Sequence, residues 1–174
     1  MGKTMILTRL FAKKPGSVRT VYEAIVAAAR QEKFYLDYGV TDTLDGRFDM
    51  ISLHLFLVLD RLRNGDAEVE DFRRRLTDEF FADMDRSLRE MGVGDLSVGK
   101  KVRKMAEAFY GRVRAYSVAL EANDKALTDA LARNVYADAG AAHAVKLKDW
   151  VKLARSAFVA QDEAAMMRGE VQFP

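Results

Sequence analysis

Residues 48–62 read FDMISLHLFLVLDRL, and no other stretch of the chain restricts the fold as strongly. Stepped at about 100° per residue, its apolar side chains fall on most sides of a helix instead of forming one stripe. Such a helix is stable only when other elements surround it, so the rest of the chain must supply that ring. It is not a membrane span. Crossing a bilayer takes about 20 predominantly apolar residues, and here Asp49, His54 and Asp60 interrupt the run.

The surrounding elements are legible in the same way. The chain has 174 residues with only two prolines and eleven glycines, and no segment shows sustained period-two alternation. That length supports one domain with a real core. The expected fold class is all-α: a single compact globular domain of six or seven helices over 1–174, with 1–16 expected to be flexible. Ser17 or a capping box at Thr20 and Glu23 should open the first helix, whose apolar face includes Val18, Val21, Tyr22 and Ile25. FYLDYGVTDTLDGR (34–47) reads as a loop whose aromatics pack in part, with Asp42 or Asp45 as a cap and Arg47 within pairing reach.

The central helix should run over 47–63 and stop at Asn64-Gly65. Asp66 then caps a helix with its stripe at Val69, Phe72, Leu76, Phe80, Met84, Leu88 and Met91, terminated by Gly92. Ser97 is the expected cap of the next, which carries Val102, Met105, Ala106, Phe109, Val113, Tyr116 and Leu120 within about 100° of arc. Asn123 or Asp124 opens a helix through Tyr136. Helices over 144–160 and 162–168 precede the tail GEVQFP, whose last four residues read as a packed tail.

Composition excludes several classes. Without cysteine there is neither a disulfide framework nor a thiolate metal site. A net charge of +2 is too mild to argue for nucleic-acid binding by itself. The opening MGKTMILTRLF lacks a small-residue cleavage pattern, so no signal peptide is expected.

GDLSVGKK (94–101) matches a nucleotide-binding P-loop up to Lys100, but Lys101 stands where a magnesium-binding hydroxyl belongs. The preceding DMDRSLREM is helical in period, so no strand carries the loop. A helix–turn–helix corner is the better reading, with no ATPase and no bound cofactor. Asp83 and Asp85 point about 200° apart on a helix and cannot chelate together; they read as solvated charges around a buried Met84. His54 reads as a hydrogen-bonded core residue, His143 carries no motif, and no catalytic constellation emerges.

The helix after the corner places Lys100, Arg103, Lys104 and Arg114 opposite its apolar stripe. Gly111 falls within that outward face, where it costs about 1 kcal/mol relative to Ala. Tyr110 borders it. A missing side chain beside an aromatic and several cations suits close docking by another chain. The expected interaction surface is therefore Lys100, Lys104, Tyr110, Gly111 and Arg112.

The string REMGVGD…VGK…MA.AFYGR within 83–112, preceded by FYLDYGVTDTLDGRFDM (34–50), resembles the ubiquinol–cytochrome c chaperone family, over about 22–136. The resemblance implies an assembly factor without catalysis, acting on newly made cytochrome b of the bc1 complex. Mitochondrial members pair with a small partner protein and associate with the ribosome. This chain lacks their N-terminal extension and looks like a bacterial relative. A cytoplasmic location, peripheral at the inner face of the cytoplasmic membrane and in contact with its anionic surface, is therefore expected. Carried over, the family string marks Arg89, Gly92, Gly94, Asp95, Gly99, Lys100, Met105, Phe109, Tyr110, Gly111 and Arg112 as the client surface, although Met105 and Phe109 also fall on the core stripe. The competing reading is a basic helical module that binds RNA or ribosomes.

Overall fold

The computed structural model describes residues 16–137 and 140–174; of the expected flexible stretch 1–16, only Gly16 is among the described residues, and it begins the first helix. Eight helices are present among them: α1 (Gly16–Ala29), α2 (Glu32–Leu36), α3 (Leu44–Arg61), α4 (Ala67–Glu90), α5 (Asp95–Ala122), α6 (Asp124–Val135), α7 (Ala141–Val159) and α8 (Glu163–Met167). The all-α expectation holds.

The apolar helix sits where its composition requires. Every residue of α3 from Phe48 to Leu59 is buried, and α1, α5, α6 and α7 all pack on it. Each Leu, Phe or Met so enclosed contributes about 1.5–3 kcal/mol relative to exposure. The polar groups within this helix fare differently: Asp49 pairs with Arg112 of α5, while Ser52 Oγ and His54 Nε2 are buried with no hydrogen-bond partner among the described residues. His54 donates from Nδ1 to the Met50 carbonyl at 2.8 Å, and burial pushes its pKa down to about 3. Its ring is neutral at ordinary pH and packs like an aromatic, 5.0 Å from Phe34 and 4.8 Å from Trp150.

Helix starts follow side-chain chemistry at four places. Asp66 accepts from the Glu68 and Val69 amides, Asn123 from Ala126, Asp162 from Ala165 and Thr43 from Gly46. Each satisfies amides that would otherwise lack a partner in the first turn. Three sequence expectations are corrected. Segment 34–47 is not all loop: Phe34 anchors the short α2 by fitting fully buried between His54 and Trp150, and α3 begins at Leu44. Its cap is Thr43, because Asp42 is engaged with Arg47 at 2.7 Å. The Thr20/Glu23 pair lies inside α1, where Glu23 takes an ion pair from Arg19 at 2.9 Å instead of closing a capping box.

The third correction concerns α5, which opens at Asp95 with Gly94 as its cap. The Gly94 carbonyl accepts from the Ser97 and Val98 amides at 2.8 and 3.1 Å, so Ser97 is already inside the helix. Gly92, with φ +82°, makes the reversal out of α4, and the Arg89 guanidinium joins Asp85 to Asp95 across the corner. This is the helix–turn–helix corner expected at the near-P-loop string. The tail packs as expected: Phe173 lies 5.0 Å from both His54 and Phe158, and Gln161 exchanges hydrogen bonds with the Gln172 backbone.

Two glycines separate steric need from its absence. A Cβ on Gly46 would stand 2.0 Å from the Thr41 carbonyl oxygen, whereas one on Gly111 would meet nothing within 4 Å. Thermal unfolding should therefore show Gly46→Ala destabilised by about 1–3 kcal/mol, the range of overpacking. Gly111→Ala should gain up to about 1 kcal/mol from helix propensity. A neutral Gly46→Ala would contradict the close approach.

Candidate partner-binding cleft

The ring of helices around α3 does not close at one place. The first turns of α3 with their preceding loop, the end of α4, one face of α5 and the end of α6 border a cleft of about 1080 Å³. Its apolar surface comes from Phe48, Ile51, Met84, Leu88, Met105 and Ala108, and Leu44 and Met91 stand half exposed beside it. Arg30, Arg47, Lys101, Lys104, Arg112 and Arg133 line it against Asp45, Asp49 and Glu90, so positive charge dominates. Thioether side chains without branching adapt to irregular apolar shapes. Cations around such a surface favour an acidic, apolar ligand.

One ion pair joins α3 to α5 within this cleft. Arg112 Nη2 donates to Asp49 Oδ1 at 2.5 Å and reaches the Asn134 carbonyl at 3.5 Å. Its guanidinium carbon lies 5.4 Å from the centre of the Phe48 ring. Arg112 Nε is buried with no hydrogen-bond partner among the described residues. Burial pushes the Asp49 carboxyl up to about 6, against the opposing pull of Arg112. The Arg112 guanidinium beside it favours the charged form.

The structure distributes the sequence-derived residues over several surfaces. Lys104, Met105 and Arg112 come together in the cleft. Arg89 and Asp95 clasp each other at the α4–α5 corner, which also holds Gly92, Gly94, Gly99 and Lys100. Tyr110 faces a different groove, its ring 6.0 Å from Phe81. Gly111 borders a third, between α5 and α6. Phe109 is fully enclosed against Phe80 and Phe81, so its side chain packs the fold and does not meet solvent. The expected surface of Lys100, Lys104, Tyr110, Gly111 and Arg112 is thus divided among the corner, the cleft and two further grooves.

Sequence reasoning missed the α3 and α6 side of the cleft, including Phe48, Asp49, Arg133 and Tyr136. Asp49 was the available signal, as a carboxylate one residue inside an otherwise enclosed helix. Among the described residues, no three His, Asp or Glu side chains converge as a metal site, and no helix is long and apolar enough to cross a membrane.

With the geometry in view, known proteins place the chain. The family model described as ubiquinol-cytochrome C chaperone matches residues 36–173. The chain belongs to the ubiquinol-cytochrome c chaperone family. The match extends past Tyr136 to Phe173, so α7, α8 and the packed tail are part of what the family shares. The crystal structure of the Cbp3 homolog from Brucella abortus superposes with a TM-score of 0.82 at 42% identity, covering 91% of this chain and 89% of that one. Ubiquinol-cytochrome-c reductase complex assembly factor 1 of Xenopus laevis is 24% identical over 115 residues, 66% of this chain and 58% of the frog protein. The chain therefore matches little more than half the length of that relative.

The Asp49 environment gives a signed pH dependence. An unfolded aspartate titrates near 3.8 and the folded one near 6, so the folded state binds the proton more tightly. This group's contribution to stability is fully present below pH 4 and is lost as pH rises through 6. Chemical denaturation of wild type and Asp49→Asn should show wild type losing stability relative to the variant between pH 4 and 7. His54 titrates in both proteins and cancels from the difference. A pH-independent difference would contradict the burial-dominated environment.

Proposed function

We propose that this family member is a non-enzymatic assembly chaperone that holds newly made cytochrome b while the ubiquinol–cytochrome c reductase complex is built. The observation that carries this reading is the cleft, with its methionine-rich apolar surface and its surplus of cations. A newly made membrane protein presents apolar segments before its own helices have packed, and a water-exposed apolar groove is where such a segment can be covered. The names of its relatives, a chaperone family and an assembly factor for the reductase complex, support the same role. Working at the inner face of the cytoplasmic membrane, in passing contact with its anionic surface, the protein would meet its client as it is inserted. Ribosomes and a small partner protein would be further contacts of the same kind as in mitochondrial relatives.

The alternative of a basic RNA-binding face is weakened by the charges on α5. Arg103, on the outer side, lies 3.5 Å from Glu107, which interrupts the run of positive charge. Binding by a uniform basic face would also predict that every Lys or Arg removal weakens affinity alike.

A short radiolabelling pulse, followed by pull-down of a tagged chain in mild detergent, tests the proposal. Newly made cytochrome b should be enriched over older, assembled cytochrome b. Met105→Gln, which makes the cleft polar, should reduce the capture several-fold, in the range of a buried interface contact. Tyr110→Ala, outside the cleft, should leave it unchanged. Equal recovery of old and new cytochrome b would refute the chaperone role; loss with Tyr110→Ala alone would move the binding surface elsewhere.

A further inference from the structure

The α5 wall of the cleft has an order that the rest of the cleft lacks. Lys101, Lys104, Met105, Ala108 and Arg112 line it, and their spacing puts all five within about 100° on one face. The cations stand at the two ends and the apolar residues between them. From Lys101 to Arg112 the helix rises about 16 Å. The facing walls mix acids at Asp45 on α3 and Glu90 on α4 with cations at Arg47 and Arg133, whereas the charged residues of the α5 wall are all cations.

Resting on the chaperone reading above, we infer that the cleft selects client segments by charge: a helical stretch with carboxylates about eleven residues apart and apolar residues between them. Arg112 receives one carboxylate, and Lys101 with Lys104 the other. Arg112 is prepared for this. Asp49 and the Phe48 ring fix its guanidinium at one end of the stripe, and its side chain stays partly exposed, at 17%. Asp49 and the Asn134 carbonyl both engage Nη2, which leaves Nη1 for an incoming carboxylate. Lys101 and Lys104 are exposed and supply charge without fixed geometry.

The same spacing argues against an acidic phospholipid as the occupant. One phosphate cannot serve cations about 16 Å apart, and a lipid places its anionic group at one end of its apolar part. The stripe has cations at both ends and apolar residues in the middle, the pattern of a peptide segment.

Fluorescence anisotropy of the full chain, titrated against labelled peptides of about 18 residues that tile the host's cytochrome b, tests this; such peptides are long enough to span the stripe. The tightest binders should carry acids about eleven residues apart, and Glu→Gln or Asp→Asn at either position should weaken them roughly ten-fold. Lys104→Glu, an exposed change that leaves the fold intact, should weaken the acidic peptide similarly and erase its advantage over its amide version. Binding indifferent to the amide substitutions overturns the inference. So does an absence of peptide binding together with Lys104-dependent binding to phosphatidylglycerol vesicles. If the pulse-label pull-down still captures newly made cytochrome b while the amide peptides bind normally, the chaperone role stands and only the charge selection falls.

Discussion

The enclosure of α3 is the constraint on which the rest of the structure depends. A helix buried over twelve successive residues, Phe48 to Leu59, leaves no side for solvent. α1, α5, α6 and α7 must therefore all reach it. Its two ends then differ in kind. Toward the C-terminus, Arg61 and Asp60 emerge into ion pairs with Glu163 and Arg155 that fasten α8 and α7. Toward the N-terminus, Asp49 enters the protein interior with Arg112 as its counter-charge.

That N-terminal end is also where the ring of helices stays open. A core completed there by apolar residues would have needed no ion pair. Replacing buried pairs with well-packed apolar residues is often neutral or stabilising, so such a pair is weak evidence of a stability role. The Asp49–Arg112 pair holds a guanidinium at the end of an apolar cleft, with its side chain partly exposed. Under the chaperone reading proposed above, such a protein must bind a client and then let it go. Mixed apolar and charged contacts in a water-accessible groove suit release better than a sealed apolar pocket.

Much of the helical framework was legible in the chain because its causes are local. Asp66, Asn123 and Gly92 act on amides and turns within a few residues of themselves, and the apolar stripe of α4 follows one period throughout. The misjudged boundaries had non-local causes. α2 exists because Phe34 finds His54 and Trp150, and Trp150 is more than a hundred residues away in sequence. Asp42 is unavailable as a cap because Arg47 takes it. α5 starts before Ser97 because Arg89, from the preceding helix, secures Asp95.

By itself, then, the sequence determined the all-α class, the central place of the helix over 48–62, the corner in place of a phosphate loop and the family. Each of these is written in periodicity, turn chemistry or a contiguous string. Only the tertiary structure decided the site. Lys104, Met105 and Arg112 share a cleft, while Tyr110 and Gly111, just before Arg112 in the chain, border other grooves. Gly111 lies on nearly the same side of α5 as Lys104, and it is the packing of α6 that puts it in a separate groove. The remaining walls come from α3, α4 and α6, and nothing in a linear pattern says which faces of separate helices will meet around an opening.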